Sequence, residues 1–213
     1  MEHTMRRIPI FLIALSLCTS LPVITYAQRR PANIAAHSVK LSPRQLVRRL
    51  QRGGYVLYIR HGERDAFKEP DLPDMNDCKT QDNLTAKGRE QSVALGAAFK
   101  ALKIPVSEVY TGQFCRNKES AALAFGKDTV LAQLNRFDKN ITPTIRRLLA
   151  ARPPDGSNTI IVNHHQALAD ATHAKLLVYA ESAVFLPDGK GSFRLLGYIG
   201  LDALDKLKSS RSH

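Results

Sequence analysis

The chain has 213 residues and a formal charge of +12, with 44% of its residues hydrophobic. That length suits one domain with a substantial core, and so basic a balance favours anionic partners: phosphorylated molecules, nucleic acid or an anionic membrane surface. The positive residues are scattered, however, and no aromatic-studded basic strip is present, which argues against nucleic acid as the partner.

Residues 1–27 have the three-part layout of a secretory signal peptide. Arg6 and Arg7 precede an apolar run from Ile8 to Ile24, and Thr25-Tyr26-Ala27 offers small residues where a signal peptidase reads. A membrane anchor is the competing reading. Pro9 and Pro22 interrupt the run, which also falls short of the roughly 20 apolar residues that a spanning helix needs. Residues 28–40 then read as a flexible arm, and the expected domain covers 41–213. The expected location is periplasmic or secreted, without stable membrane insertion after cleavage.

Ser42-Pro43 supplies an N-cap and a proline at the first helical position, Leu46, Val47 and Leu50 form one apolar face, and Gly53-Gly54 stops the helix. Tyr55 to Ile59 is a continuous strand. It ends abruptly in Arg60-His61-Gly62-Glu63-Arg64. Asp65 to Asn83, with Pro70 and Pro73, reads as a long loop of the kind that is commonly functional. Thr85 caps a helix to Leu102, a strand follows at Val106 to Tyr110, and Cys115 to Phe125 is a further helix. Thr129 to Leu134 reads as a short strand, and Ile141 to Ala151 as a helix closed by Pro153-Pro154. Thr159 to Val162 is entirely β-branched, as suits a strand buried on both faces. A helix from Gln166 to Leu176 and two closing strands, Ser182 to Leu186 and Phe193 to Ile199, complete the pattern.

Alternating strands and helices imply an α/β fold with a mainly parallel sheet, and such sheets bind ligands outside the carboxyl ends of their strands. Arg60-His61, the Thr111 to Arg116 segment and Asn163-His164-His165 each follow a strand, so all three polar clusters are expected at one edge.

Three motifs now stand in order: RHG at Arg60 to Gly62, YTGQFCRNKESA at Tyr110 to Ala121, and IIVNHH at Ile160 to His165. Together they resemble the histidine phosphatase superfamily, over a span from Tyr55 to Ile199. The resemblance implies a three-layer α/β/α sandwich of the phosphoglycerate mutase-like kind. It also implies that His61 is the nucleophile, Arg60 and Arg116 bind phosphate, and His164 is the second pocket histidine, with His165 as the fallback. Asn163 stands where the family's late motif usually has glycine. Arg64 matches the Arg-His-Gly-x-Arg of larger acid phosphatases and reads as a third phosphate contact. Those enzymes carry a His-Asp pair where this chain has His164-His165, and this chain lacks the length for their helical insert. The loop containing CKTQDNLTAKG resembles small exported members associated with lipopolysaccharide-core phosphates.

The chemistry agrees with these assignments. Charge in a phosphoryl transition state spreads over the equatorial oxygens, and the planar fork of arginine meets two oxygens at once. Imidazole is a good nucleophile near neutral pH. A histidine after a strand is more often structural; its two arginine neighbours and the two later motifs argue otherwise for His61. The leaving group needs a proton, and the glutamate of the mutase-like branch has no counterpart here. Glu181 is the first choice for this acid and Glu63 the second, either suited by a carboxyl pKa raised by burial.

Cys18 falls in the leader, which leaves Cys78 and Cys115. In an exported chain they form a disulfide or, alternatively, two buried free thiols. Neither has zinc-like spacing to another ligand, and no metal or organic cofactor is expected. The expected function is hydrolysis of phosphomonoesters through a phosphohistidine, with a small phosphorylated substrate, an envelope glycan phosphate being one candidate. The alternative is a catalytically silent phosphate-binding or envelope-interaction protein on the same fold.

Overall fold

A computed structural model describes residues 41–66 and 69–210, so the expected signal peptide (1–27) and arm (28–40) lie outside the described residues. The first helix, α1 (Pro43–Leu50), begins where its capping chemistry dictates. Ser42 accepts from the Gln45 backbone while the Gln45 side chain accepts from the Ser42 N–H, and Leu46, Val47 and Leu50 are buried. Strand β1 (Val56–Arg60) is followed by the loop, then by α2 (Ala86–Ala101), whose Thr85 cap accepts from the Gly88 N–H. Strand β2 (Val106–Thr111) leads to α3 (Cys115–Phe125), which ends at Gly126 in the left-handed region.

The expected strand at Thr129 to Leu134 is shorter in the fold. β3 is only Thr129–Val130, because Ala132–Leu134 coils into a 3-10 turn that buries Leu134. Helix α4 (Ile141–Ala150), strand β4 (Asn158–Asn163) and helix α5 (His165–Thr172) follow. α5 stops at Thr172 rather than running to Leu176, since His173 turns left-handed at φ 59°. Strands β5 (Ser182–Pro187) and β6 (Phe193–Ile199) pair around the turn at Asp188, whose carboxylate accepts from the Lys190 and Ser192 N–H groups. A final helix, α6 (Leu201–Ser209), was not foreseen; its cap is Gly200, which carries no side-chain signal.

The six strands form one sheet in the order β3-β2-β4-β1-β5-β6. β1, β2, β3 and β4 are mutually parallel, while β5 runs antiparallel to both β1 and β6. Alternation along β1 splits the core in two. Leu57 and Ile59 pack with α1, α2, α3 and α6 on one face, while Val56 and Tyr58 pack with α4 and α5 on the other. The fold is therefore a three-layer α/β/α sandwich with a mostly parallel sheet. Arg60 pairs in register with Asn163, and Thr111 with Val162, so the carboxyl ends of β1, β4 and β2 lie side by side. Among the described residues, no helix is long and apolar enough to cross a membrane.

Candidate active site

At that shared edge the chain opens a cavity of about 390 Å³, whose lining includes Arg60, His61, Arg64, Arg116, His164 and His165. The three motifs thus converge. His61 leaves β1 in an orientation set by its own backbone: its Nδ1 lies 2.7 Å from the Gly62 carbonyl oxygen. A carbonyl only accepts, so Nδ1 carries the proton and Nε2 keeps its lone pair. The side chain is buried. Burial first, then the Arg116 charge, holds its pKa well below the ordinary histidine value, so the ring is neutral.

Gly62 is required by a close approach rather than by its backbone conformation. Its φ is not in the left-handed region, but a Cβ there would run into the Gly88 carbonyl at the start of α2. A Cβ at Gly88 would in turn strike the Glu63 carbonyl, so the two glycines let helix and strand mouth touch backbone to backbone. The Gly62 N–H donates to Ser120 Oγ of α3 at 3.0 Å.

His164 is buried 5.3 Å from His61, ring centre to ring centre, and edge-on to Phe114. Burial first, with His61 and Arg116 adding to it, lowers its pKa well below normal. Its carbonyl accepts from the buried Tyr58 hydroxyl at 2.8 Å. Asn163, where the family pattern usually has glycine, is fully buried and organises the corner. Its Oδ1 accepts from the His164 N–H and from Asn117 Nδ2, and its Nδ2 donates to the Leu134 carbonyl.

Each arginine is held from one side. Arg60 Nη1 donates to the Leu177 carbonyl at 2.8 Å, and its guanidinium lies 3.7 Å above the Tyr179 ring. Ala180, left-handed at φ 56°, turns the 175–181 loop back so that its N–H reaches the Arg60 carbonyl. Arg116 is 1% exposed; its Nη1 donates to Glu69 Oε2 at 2.6 Å and to the Asp82 carbonyl at 3.0 Å. Burial lowers its pKa and the Glu69 partner works against that shift. Arg64 pairs with the Asp82 carboxylate.

What these partners leave over is informative. Arg60 Nε, Arg116 Nε and His164 Nε2 are buried without a hydrogen-bond partner, as is His165 Nδ1. Buried polar atoms without a partner are rare in folded proteins, and these four belong to groups that line one cavity, whereas Ser182 Oγ and Asn117 Oδ1, also without partners, belong to residues outside its described lining. The two arginine Nε–H groups among the four are donors of the kind that an oxyanion accepts from.

The carboxylates expected to supply a proton are not brought to the cavity. Glu181 Oε1 pairs with Lys175 Nζ at 2.7 Å, and its Oε2 accepts from the Val178 N–H at 3.1 Å, so it closes its own loop. Glu63 pairs with Lys87 at 2.9 Å and accepts from the Thr85 hydroxyl. Neither is in the described lining, where Asp170, bonded to Gln166, is the carboxylate present. Residues that the sequence did not single out join the site instead. Arg136 lines the cavity and stacks on Phe137 at 4.6 Å, and Glu69 bridges it to Arg116. Arg136 lay in an aperiodic stretch, and Glu69 in a polar loop, so neither carried a pattern signal.

Cys78 and Cys115 form a disulfide with a Cα–Cα distance of 5.8 Å, which fastens the long loop to the first residue of α3. Gln81 of the same loop accepts from the Cys115 N–H at 2.8 Å, capping a helix that has no side-chain cap of its own.

No protein-family profile matches the chain, and no curated protein sequence does. Solved structures match it in fold. The protein histidine phosphatase SixA, complexed with tungstate, has a TM-score of 0.51 at 14% identity over 70% of this chain and 99% of that one. A protein described as the phosphohistidine phosphatase SixA of Agrobacterium tumefaciens scores 0.50 at 16% identity, over 69% and 97% of the two chains. One described as an α-ribazole-5′-phosphate phosphatase of Escherichia coli K-12 scores 0.50 at 15% identity, over 67% and 95%. At these identities the likeness establishes the fold, that of phosphoglycerate mutase-like histidine phosphatases.

Proposed function

We propose that the chain is a phosphatase that hydrolyses phosphomonoesters through a phosphohistidine on His61. The observation that carries this reading is the set of orphaned donors around a neutral imidazole whose free nitrogen is Nε2. The His61 Nε2 lone pair attacks phosphorus while the ester P–O bond breaks, and the leaving oxygen departs with a proton taken from water. Arg60, Arg116 and His164 hold the non-bridging oxygens, where fixed cationic donors stabilise the developing charge. Water then attacks phosphorus, the N–P bond breaks, and phosphate leaves. The Cys78–Cys115 bridge and the leader layout support an exported, periplasmic or secreted protein. The partner is a small phosphorylated molecule, with an envelope glycan phosphate as a candidate.

The experiment is acid-quench labelling with a phosphorylated substrate. Base-stable, acid-labile label appears on the wild type and is absent from His61→Ala; label that persists in the variant overturns the assignment. The engagement of Glu181 and Glu63 elsewhere favours one second reading, a silent phosphate-binding protein. Turnover of an aryl phosphate, whose leaving group needs little protonation, rejects it. Binding of phosphate without turnover of any ester supports it.

A further inference from the structure

Glu69 pairs with Arg116, one of the phosphate-binding arginines, and the proposed reaction leaves it without a role. Its side chain is only 5% exposed and meets two guanidiniums: Oε2 lies 2.6 Å from Arg116 Nη1, and Oε1 lies 2.8 Å from Arg136 Nη2. It is itself fixed by a reciprocal pair, its N–H donating to Asp82 Oδ1 at 3.0 Å while Oε2 accepts from the Asp82 N–H at 3.1 Å. Arg116 and Arg136 both line the cavity, so the carboxylate that joins them acts on two of its walls.

We propose that Glu69 is a positioning residue: its carboxylate, shared between Arg116 and Arg136, fixes the guanidinium of Arg116 at the cavity wall and so sets the site's affinity for phosphate. The inference rests on the phosphate-binding reading above. Glu69 and the Asp82 carbonyl engage the Nη groups of Arg116, and the nitrogen left without a partner is Nε. Without the carboxylate, two like charges face each other, and Arg136, which is 37% exposed, is free to swing into water.

Two effects oppose one another in any variant. Removing a negative charge beside the site strengthens its attraction for an anion, whereas losing the orientation of Arg116 weakens its grip. The first is a diffuse field shared with solvent. The second acts on a donor that must meet an oxygen within a few tenths of an ångström, so orientation dominates. Glu69→Gln therefore raises the inhibition constant of inorganic phosphate and the KM for p-nitrophenyl phosphate by about tenfold or more, the scale on which orienting partners of metal ligands act. The change in kcat is smaller.

The test pairs that measurement with an NMR titration of the wild type, following the arginine Nε–H and Nη–H signals as inorganic phosphate is added. Glu69→Gln with weaker phosphate inhibition, and an Arg116 Nε–H signal that shifts while its Nη–H signals hold, are the expected results. An unchanged or lower inhibition constant overturns the proposal, because it makes Glu69 a spacer or a damper of the field. If Glu69→Gln does not fold, the wild-type titration decides alone, and a response confined to the Nη–H signals sinks the idea. If the wild type binds no phosphate, it is the phosphate reading itself that fails.

Discussion

His164 is a histidine that burial keeps neutral while leaving its Nε2 without a partner. His61, Arg116, Arg136 and Arg64 all push its pKa down further, in addition to desolvation. A bound dianion would offset those positive neighbours, so the pKa of His164 rises on binding and the site takes up a proton. Sulfate is a suitable probe because it has no proton of its own to trade near neutral pH. Calorimetric titration with sulfate at pH 6.5, in two buffers of different ionisation enthalpy, should report net proton uptake in the wild type and less in His164→Asn. Proton release, or no buffer dependence, would reject this account of His164. The same scale explains Asn163. A glycine at that position could not hold the His164 N–H, the Asn117 amide and the Leu134 carbonyl together, so the departure from the family pattern adds an anchor rather than removing one.

At the level of elements, the long loop after β1 and helix α3 act as one unit. The disulfide, the Gln81 cap on Cys115 N–H and the two contacts to Arg116 all join them within a few residues of the site. With a sequence separation of 37 between its cysteines, the chain-entropy model values the bridge at about 4 kcal/mol. The double variant Cys78→Ser/Cys115→Ser should therefore melt roughly 8–16 °C below the oxidised wild type, on the scaling for domains of this size. Reductant should lower the wild-type melting temperature and leave the variant unmoved. Equal melting temperatures for wild type and variant would mean that the loop is held by its hydrogen bonds alone.

For the molecule as a whole, two neutral buried histidines link stability to pH. Both pKa values are lowered in the fold relative to about 6.5 in an unfolded chain, so the unfolded state binds more protons below that value. Their contribution is fully present above pH 6.5 and is lost as pH falls. Each histidine costs up to about 1.4 kcal/mol per pH unit. Urea midpoints should hence fall steadily from pH 7 to 5.5, before carboxylates such as Glu63 and Asp188, whose pKa values are lowered from already acidic ones, begin to titrate. His61→Asn or His164→Asn should flatten that slope; a wild-type midpoint that is level or rises toward acid contradicts it.

The sequence by itself determined the sandwich and the convergence of the three motifs. Continuous apolar strands such as Tyr55 to Ile59, helix caps such as Ser42 and Thr85, and the alternation of strands with helices that makes β1, β2 and β4 parallel are local or topological signals that residue types carry directly. The early stop of α5, the turn that shortens β3, and α6 were less legible, because left-handed His173, buried Leu134 and the packing of Leu204 depend on what lies across space. Only the tertiary structure decided which charges meet. Glu181 and Glu63 read as acids for the site, yet each found a lysine first, while Glu69 and Arg136 came to Arg116 from segments without any periodicity. The physical reason is that backbone pattern sets where a chain runs, whereas the partner of a charge is chosen by distance and desolvation, which no single stretch of residues encodes.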